Sequence, residues 1–274
     1  MKKKVFLDTQ ILEYAATGNI SKREWDHVTR YLQCEYRYYI SLHTLYELLV
    51  GLALGSNDYF SHNQKRLKVL FSLGARRYLG LAGDFVRVHA FGLPGRIHHF
   101  DPEHLRIWAR VIVGARDRWQ LEREGVGLGT RAYGIKLDEV VSQVDRGKAQ
   151  HVKSLEELRD GVSKRSNQEI WSTSLLNLIE VPATPENVTR ILNATDAAFW
   201  YSSALYDLAK ARNYNFDERD SDWLDYHQLL YLADPTVHFV TAEVKLPARI
   251  KKSVQRDRVL VWKDLISIAA KRGF

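Results

Sequence analysis

Short runs of apolar residues occur near both ends of the chain, and polar residues follow each run. Val5-Phe6-Leu7 is the first of them. An unbroken apolar run of this length is typical of a strand that is buried on both faces of a parallel sheet. Aromatic and β-branched residues mark another strand before Ser41. The pattern therefore predicts strands over residues 4–8, 36–40, 237–241 and 259–262.

Helix signals lie between these runs. Residues 10–16 are amphipathic, and Ser21 with Glu24 forms a capping box that begins a helix extending to about residue 33. Ser41 caps the next helix, whose apolar positions are Leu42, Leu45, Leu48, Leu49 and Leu52. Near the other end, Ser221 caps a helix over 222–232, and a final helix covers 264–271.

The middle of the chain has a different character. A basic helical stretch is predicted over 58–80, followed by helical patterns at 101–123, 135–160, 166–179 and 185–211, with few strand signals among them. Strands and helices alternate only at the two ends, so one sheet built from both ends explains the order best. We predict an α/β core from residues 1–55 and 216–274, with residues 56–215 as a helical insertion or subdomain.

Composition and charge narrow the class of protein. The chain has 274 residues with a formal charge of +7, and no apolar run reaches the length of a membrane span. Its only cysteine is Cys34, so neither an internal disulfide nor a cysteine zinc site is available. The N-terminus enters a strand at once, without a separate signal-peptide region. We expect a cytoplasmic protein, without membrane contact, that favours a polyanionic partner.

Acidic residues are placed where a parallel sheet would gather them. Asp8 follows the first strand, Glu47 lies on the helix after the second, Asp222 and Asp225 begin a later helix, and Glu243 follows the strand that ends at residue 241. Ligand sites of open α/β sheets lie at the carboxyl ends of the strands. Carboxylates that converge there cannot all ionise without a cation, and Mg²⁺ prefers oxygen ligands.

Four of these five acids also have an ordinary structural explanation, whereas Asp8, which follows a buried strand, is harder to explain in that way. Asp222 and Asp225 would complement a helix N-terminus. Glu47 would be a solvated helix residue, and Glu243 an ordinary loop acid. The basic residues of the 58–80 stretch, which include Lys65, Arg66 and Lys68, would either hold phosphates or form a solvated helix face.

The order of these motifs resembles that of the PIN-domain nucleases. The matching pieces are Val5-Phe-Leu-Asp8-Thr9, Ser41-x-x-Thr44-x-x-Glu47-Leu, Asp225-Tyr-His-Gln-Leu-Leu and Phe239-Val-Thr241-x-Glu243. The resemblance covers about residues 1–55 and 216–270 and leaves out the middle. Two departures stand out: Glu243 occupies a position where the family has Asp, and the chain is far longer than the compact toxins of the family.

The resemblance implies a fold and a chemistry. The fold would be a three-layer α/β/α arrangement around a mainly parallel sheet, and the activity that of an endoribonuclease of the toxin or defence kind, dependent on Mg²⁺ or Mn²⁺. Asp8, Glu47 and Asp225 would hold the metal, with Asp222 and Glu243 as further ligands or as holders of water. Thr9 and Thr241 would position water or orient an acid.

Partners and rival functions follow from the same residues. RNA is the favoured substrate, with Lys65, Arg66 and Lys68 as phosphate contacts, and the resemblance allows a protein inhibitor, a regulatory partner or a homo-oligomer. One rival is a DNA-directed or structure-specific nuclease, since the same metal chemistry serves both nucleic acids. The other is a non-catalytic nucleic-acid-binding or regulatory protein on the same scaffold, for which Glu243 is the argument.

Overall fold

The computed structural model of the chain describes residues 2–45, 47–48, 57–75, 77–94, 111–123, 131–132, 135–160, 166–212, 214–215 and 222–274. The strands are β1 (Lys3–Leu7), β2 (Tyr36–Tyr38), β3 (Ile40–Ser41), β4 (Tyr78–Leu79), β5 (Arg131–Ala132), β6 (Ile135–Lys136), β7 (Val237–Thr241) and β8 (Val259–Val261). A four-stranded sheet has the order β2-β1-β7-β8, and every pair of neighbours in it is parallel. The predicted parallel sheet, built from both ends of the chain, is confirmed.

Helices supply the rest of the described structure. They are α1 (Thr9–Thr17), α2 (Lys22–Glu35), α3 (Asn57–Ser72), α4 (Ala82–Phe91), α5 (Arg118–Arg123), α6 (Leu137–Arg159), α7 (Asn167–Leu178), α8 (Pro185–Ala194), α9 (Asp196–Lys210), α10 (Asp222–Leu229), α11 (Lys245–Arg249) and α12 (Trp262–Lys271). Residues 42–45, 47–48 and 111–114 are also helical, and Leu230–Ala233 and Arg256–Arg258 form 3₁₀ turns.

The sheet separates two apolar cores, which makes the fold a three-layer α/β/α arrangement, as predicted. Successive residues of β1 point to opposite faces because the side-chain period of a strand is two. Val5 and Leu7 pack in one core with residues of α1, α2, α3 and α12. Phe6 packs in the other with residues of α4, α7 and α9, where its ring stacks on Phe239 of β7 with centroids 4.8 Å apart.

The register between the two central strands positions the site. Leu7 of β1 lies beside Val240 of β7. The residues that follow, Asp8 and Thr241, therefore meet at the same carboxyl edge of the sheet.

The predicted helix caps agree with the structure where they fall on described residues. The Ser21 hydroxyl accepts a hydrogen bond from the backbone N–H of Glu24, and the Glu24 carboxylate accepts one from the backbone N–H of Ser21. Ser41 accepts from the N–H of Thr44 at 3.1 Å. Leu42, Leu45 and Leu48 are fully buried, which explains the apolar stripe. Leu49, Leu52 and Ser221 lie outside the described residues.

Three predicted boundaries were wrong. The helix predicted over 58–80 ends at Ser72, because Gly74 adopts a left-handed conformation with φ of +67° and the chain then enters β4. The strand predicted over 36–40 divides at Tyr39, so β3 leaves the main sheet and pairs with β4. The helix predicted over 185–211 breaks at Thr195 into α8 and α9.

The helices of the 56–215 region take part in both cores. Leu67 and Leu70 of α3 pack in the core on one face of the sheet, while Leu175 of α7 and Tyr201 of α9 pack in the core on the other. The division into a core and an insertion stays a prediction about chain organisation. None of the described helices combines the length and the apolar character that crossing a bilayer requires.

Candidate active site

Asp8 connects the ends of the two central strands. Its backbone N–H donates to the carbonyl of Val240 at 2.9 Å, and its side chain caps α1 by accepting from the N–H of Gln10 at 3.4 Å. The other carboxylate oxygen accepts from the Thr241 hydroxyl at 2.9 Å, and that hydroxyl oxygen accepts in turn from the N–H of Glu243 at 3.0 Å. Asp8 is only 7% exposed, and these hydrogen bonds hold its side chain in one orientation.

Glu47 reaches the same edge from the helical segment after β3. Its carboxylate accepts a hydrogen bond from the Thr9 hydroxyl at 2.6 Å. Thr44, about one turn earlier, donates its hydroxyl to the carbonyl of Leu7 at 3.2 Å and so ties the segment to the end of β1. Thr9 follows Asp8 directly, so this hydrogen bond brings Glu47 to the residue beside Asp8.

Asp222 and Asp225 share the phenol of Tyr201 at the start of α10. The Tyr201 hydroxyl lies 2.8 Å from Asp222 Oδ1 and 3.1 Å from Asp225 Oδ2. Tyr214 donates to the other oxygen of Asp222 at 2.9 Å. A phenol carries one proton, so Tyr201 donates to one of these carboxylates at a time.

Arg249 of α11 joins Asp222 to Glu243. Its Nη1 donates to the Tyr201 hydroxyl oxygen at 3.0 Å and lies 3.4 Å from Asp222 Oδ1 and 3.7 Å from Glu243 Oε1. Asp222 is thus surrounded by two phenols and a guanidinium. These contacts hold Asp222 in place beside Asp225. Glu243 lies at the outer end of the cluster.

Burial and mutual charge repulsion raise the pKa values of three of these acids. Burial raises the pKa of Glu47 to about 7, the Thr9 hydrogen bond opposes the shift, and Asp8 adds to it. Burial also raises the pKa of Asp225 well above its usual value, followed in effect by the charges of Asp8, Glu243 and Asp222. The pKa of Asp8 is raised by burial, lowered by Thr241 and raised again by Glu243. Negative charge is therefore concentrated and poorly solvated here.

The donor set suits a hard divalent cation, since it consists of carboxylate and hydroxyl oxygens. A cation would relieve the repulsion that raises these pKa values. Within the described residues, no group of three or more His, Cys, Asp or Glu side chains is close enough to hold a metal ion. The hydroxyls of Thr9, Thr241 and Tyr201 donate hydrogen bonds to the carboxylates. Metal binding therefore requires the carboxylate side chains to turn towards a shared point.

Two basic residues of the 56–215 region act electrostatically on Glu47. Arg66 of α3 and Lys148 of α6 both lower the pKa of Glu47. Arg66 forms an ion pair with Glu13 of α1 and donates to Asn63 at 3.1 Å, so it connects α3 to α1. Lys65 and Lys68, by contrast, are exposed on α3. Of the predicted phosphate contacts, these two lysines are the accessible ones.

Sequence reasoning missed Tyr201, Tyr214 and Arg249. Arg249 lies 48 residues from Tyr201 along the chain, and Tyr201 lies 21 residues from Asp222. No local pattern marks any of the three. Tyr201, for example, lies among the apolar residues on the buried face of α9. The signal that bears on them is indirect: buried carboxylates require hydrogen-bond donors nearby.

Comparison of the chain with protein-family models, with curated proteins and with solved structures found no match.

Proposed function

We propose that the chain is a metal-dependent endonuclease of the PIN-domain kind, with RNA as its preferred substrate. The observation that carries this proposal is the convergence of Asp8, Glu47 and Asp225 at one edge of a parallel sheet, each with a raised pKa. Burying several carboxylates together is costly in a folded protein. A functional site is a common reason for such an arrangement to persist.

The residues divide the work of such a site. Asp8, Glu47 and Asp225 would hold Mg²⁺ or Mn²⁺, which when bound polarises a phosphoryl oxygen and activates water. Thr9 and Thr241 orient two of these carboxylates by hydrogen bonding.

The outer groups support this arrangement from further away. Arg249 and Tyr201 anchor Asp222, which steadies the start of α10. Glu243 is paired with Arg249, so it would act through water rather than directly. Lys65 and Lys68 would attract the phosphates of a nucleic acid approaching along α3.

The second candidate is a nucleic-acid-binding protein without catalysis. The observation that favours it is that the described acidic side chains do not close around a common point. A DNA-directed nuclease is the rival among enzymes, because a 2′-hydroxyl contact is what distinguishes RNA from DNA.

One cleavage experiment separates these candidates. Purified protein is incubated with end-labelled RNA, and with single-stranded and duplex DNA of the same sequence, in EDTA, Mg²⁺ or Mn²⁺. We expect internal cleavage of RNA with Mn²⁺ and none in EDTA. Cleavage confined to DNA would support the enzyme rival, and binding without cleavage in any metal would support the second candidate.

A variant of Asp8 and a matched control test whether the acidic cluster is responsible for cleavage. Asp8→Asn keeps the shape and removes the charge, so we expect cleavage to fall by at least about a hundredfold while the circular dichroism spectrum is unchanged. Asp257→Asn makes the same chemical change at an exposed position away from the cluster and should cleave normally. Normal cleavage by folded Asp8→Asn would remove Asp8 from the site.

A further inference from the structure

A cavity of about 730 Å³ lies on another face of α10 from the acidic cluster. Asp222 and Asp225 belong to the acidic cluster, whereas Trp223, Tyr226 and His227 of the same helix line the cavity. Helices α6, α7 and α9 and the start of α4 complete its walls. Its volume lies within the range of small-molecule pockets in proteins, about 300–1,000 Å³.

The walls consist largely of flat rings. The ring of His227 lies 4.1 Å from that of Trp223 and stacks on that of His43 with centroids 5.1 Å apart. Tyr226 meets His227 edge-on at 4.8 Å. Trp171 and Tyr206 also line the cavity. Rings in this arrangement favour a ligand that is itself planar and can stack.

Hydrogen bonding fixes the tautomer of His43, which is one of the residues that line the cavity. The Tyr231 hydroxyl donates to the carbonyl of Gly80 at 2.7 Å, so Nδ1 of His43, 2.9 Å from that hydroxyl, must be the donor of their shared hydrogen bond. Burial, and then the neighbouring His227, hold the pKa of His43 well below its usual value. Nε2 of His43 therefore carries a lone pair.

His151 of α6 provides a second polar atom in the wall. Its Nε2 is buried and has no hydrogen-bond partner among the described residues. A buried polar atom without a partner destabilises a protein, so a hydrogen bond from a ligand to this atom would be favourable.

The charges around the cavity restrict the ligand further. Neither lysine nor arginine occurs among the described residues that line it, and Asp84 contributes a carboxylate. An anionic ligand such as a phosphate would therefore be repelled and would lack a counter-charge. The charges therefore favour a neutral or cationic ligand over an anion, and the aromatic walls and histidine nitrogens favour a flat molecule that donates hydrogen bonds.

We propose that this cavity binds an amino-bearing nucleobase or its nucleoside, free in solution. Stacking on the aromatic walls would hold the ring, and the exocyclic amino group would donate to a histidine of the wall. This proposal does not depend on metal-dependent cleavage, since the cavity and the acids use different faces of α10.

The test measures binding in EDTA, where cleavage plays no part. Isothermal titration calorimetry is run with adenine, adenosine, purine, adenosine 5′-monophosphate, choline and a short oligoadenylate. We expect adenine and adenosine to bind with tryptophan fluorescence quenching. Purine lacks the amino donor and the monophosphate carries charge, so both should bind at least about tenfold more weakly.

Variants locate the binding. His151→Phe keeps a flat ring but removes the nitrogen, and Ser174→Trp, at an exposed position of the cavity rim, narrows the entrance. Each should weaken adenosine binding at least about tenfold. His27→Phe makes the same exchange on α2, away from the cavity, and should bind adenosine as the wild type does.

Several outcomes would overturn the proposal. They are equal binding of adenine and purine, binding of choline in place of adenine, binding of the oligoadenylate alone, and full adenosine binding by both cavity variants. Absence of any binding at millimolar adenosine would overturn it as well. None of these results would change the expected cleavage by the acidic cluster, so the two proposals fail separately.

Discussion

Two threonine hydroxyls orient the acids at the scale of single residues. Thr241 is fully buried and donates to Asp8, and Thr9 donates to Glu47. A buried carboxylate keeps its charge only when donors compensate for the lost water. The family resemblance implied that these threonines orient an acid or position water, and each donates a hydrogen bond to a carboxylate.

Replacing Thr241 by Val should weaken metal binding. The change keeps the shape and removes the donor to Asp8, so the pKa of Asp8 should rise further and Mn²⁺ affinity should fall about 10–100-fold. Thr241→Ser keeps the hydroxyl and should retain most of the affinity. Calorimetric titration with Mn²⁺ measures both, and equal affinity in the Val variant would show that Asp8 does not depend on this donor.

Glu47 should make the metal-free protein less stable as pH rises. Burial raises its pKa from 4.5 to about 7, so folding favours the protonated form. The resulting stability is present in full below pH 4.5 and is lost as pH rises through 7. The full shift corresponds to about 3 kcal/mol.

The matched variant isolates this effect from that of other groups. The side chain of the Glu47→Gln variant cannot ionise. In EDTA, the unfolding free energy of the variant minus that of the wild type, measured in urea, should therefore increase by about 2–3 kcal/mol between pH 4.5 and 7. Mn²⁺ should stabilise the wild type at pH 7 and have little effect on the variant. A difference between the two proteins that does not vary with pH would show that the Glu47 carboxyl is solvated.

At the scale of elements, α10 is the feature that the sequence described incompletely. The sequence predicted that Asp222 and Asp225 begin a helix, and the structure agrees. The other face of α10 packs against α6, where Gly147 lies within a long helix. A Cβ at Gly147 would come within 2.3 Å of the Trp223 ring, which occupies the space that a side chain at this position would need.

Gly147→Ala should therefore destabilise the protein although alanine favours helix. Overpacking costs about 1–3 kcal/mol, and the gain in helix propensity of about 1 kcal/mol offsets part of it. Gly114→Ala is the matched control, since nothing lies within 4 Å of its Cβ position. Urea unfolding measures both variants. Greater stability of Gly147→Ala than of wild type would show that Trp223 moves aside freely.

At the scale of the whole molecule, the two cores depend on both parts of the chain. Phe6 and Phe239 from the terminal segments pack with Leu175 and Tyr201 from the middle. Aromatic and leucine side chains of this kind each stabilise a fold by about 1.5–3 kcal/mol when fully buried. Removing the middle segment would expose one face of the sheet to water.

A chain that joins residues 1–55 directly to 216–274 should therefore fail to fold cooperatively. We expect no sharp thermal transition by calorimetry and little fixed tertiary signal in the near-ultraviolet circular dichroism spectrum. The full chain, measured in the same buffer, is the control. A cooperative transition in the shortened chain would show that the 56–215 region is a separable insertion.

The sequence by itself determined the parallel sheet, the ends of its central strands and the identity of the acids that follow them. These features are local: a strand buried on both faces must be apolar throughout, and a cap must lie within a turn of its helix. What only the tertiary structure decided is which distant groups surround those acids. Tyr201, Arg249 and the cavity beside α10 arise from helix packing, and packing joins residues whose separation along the chain leaves no periodic signal.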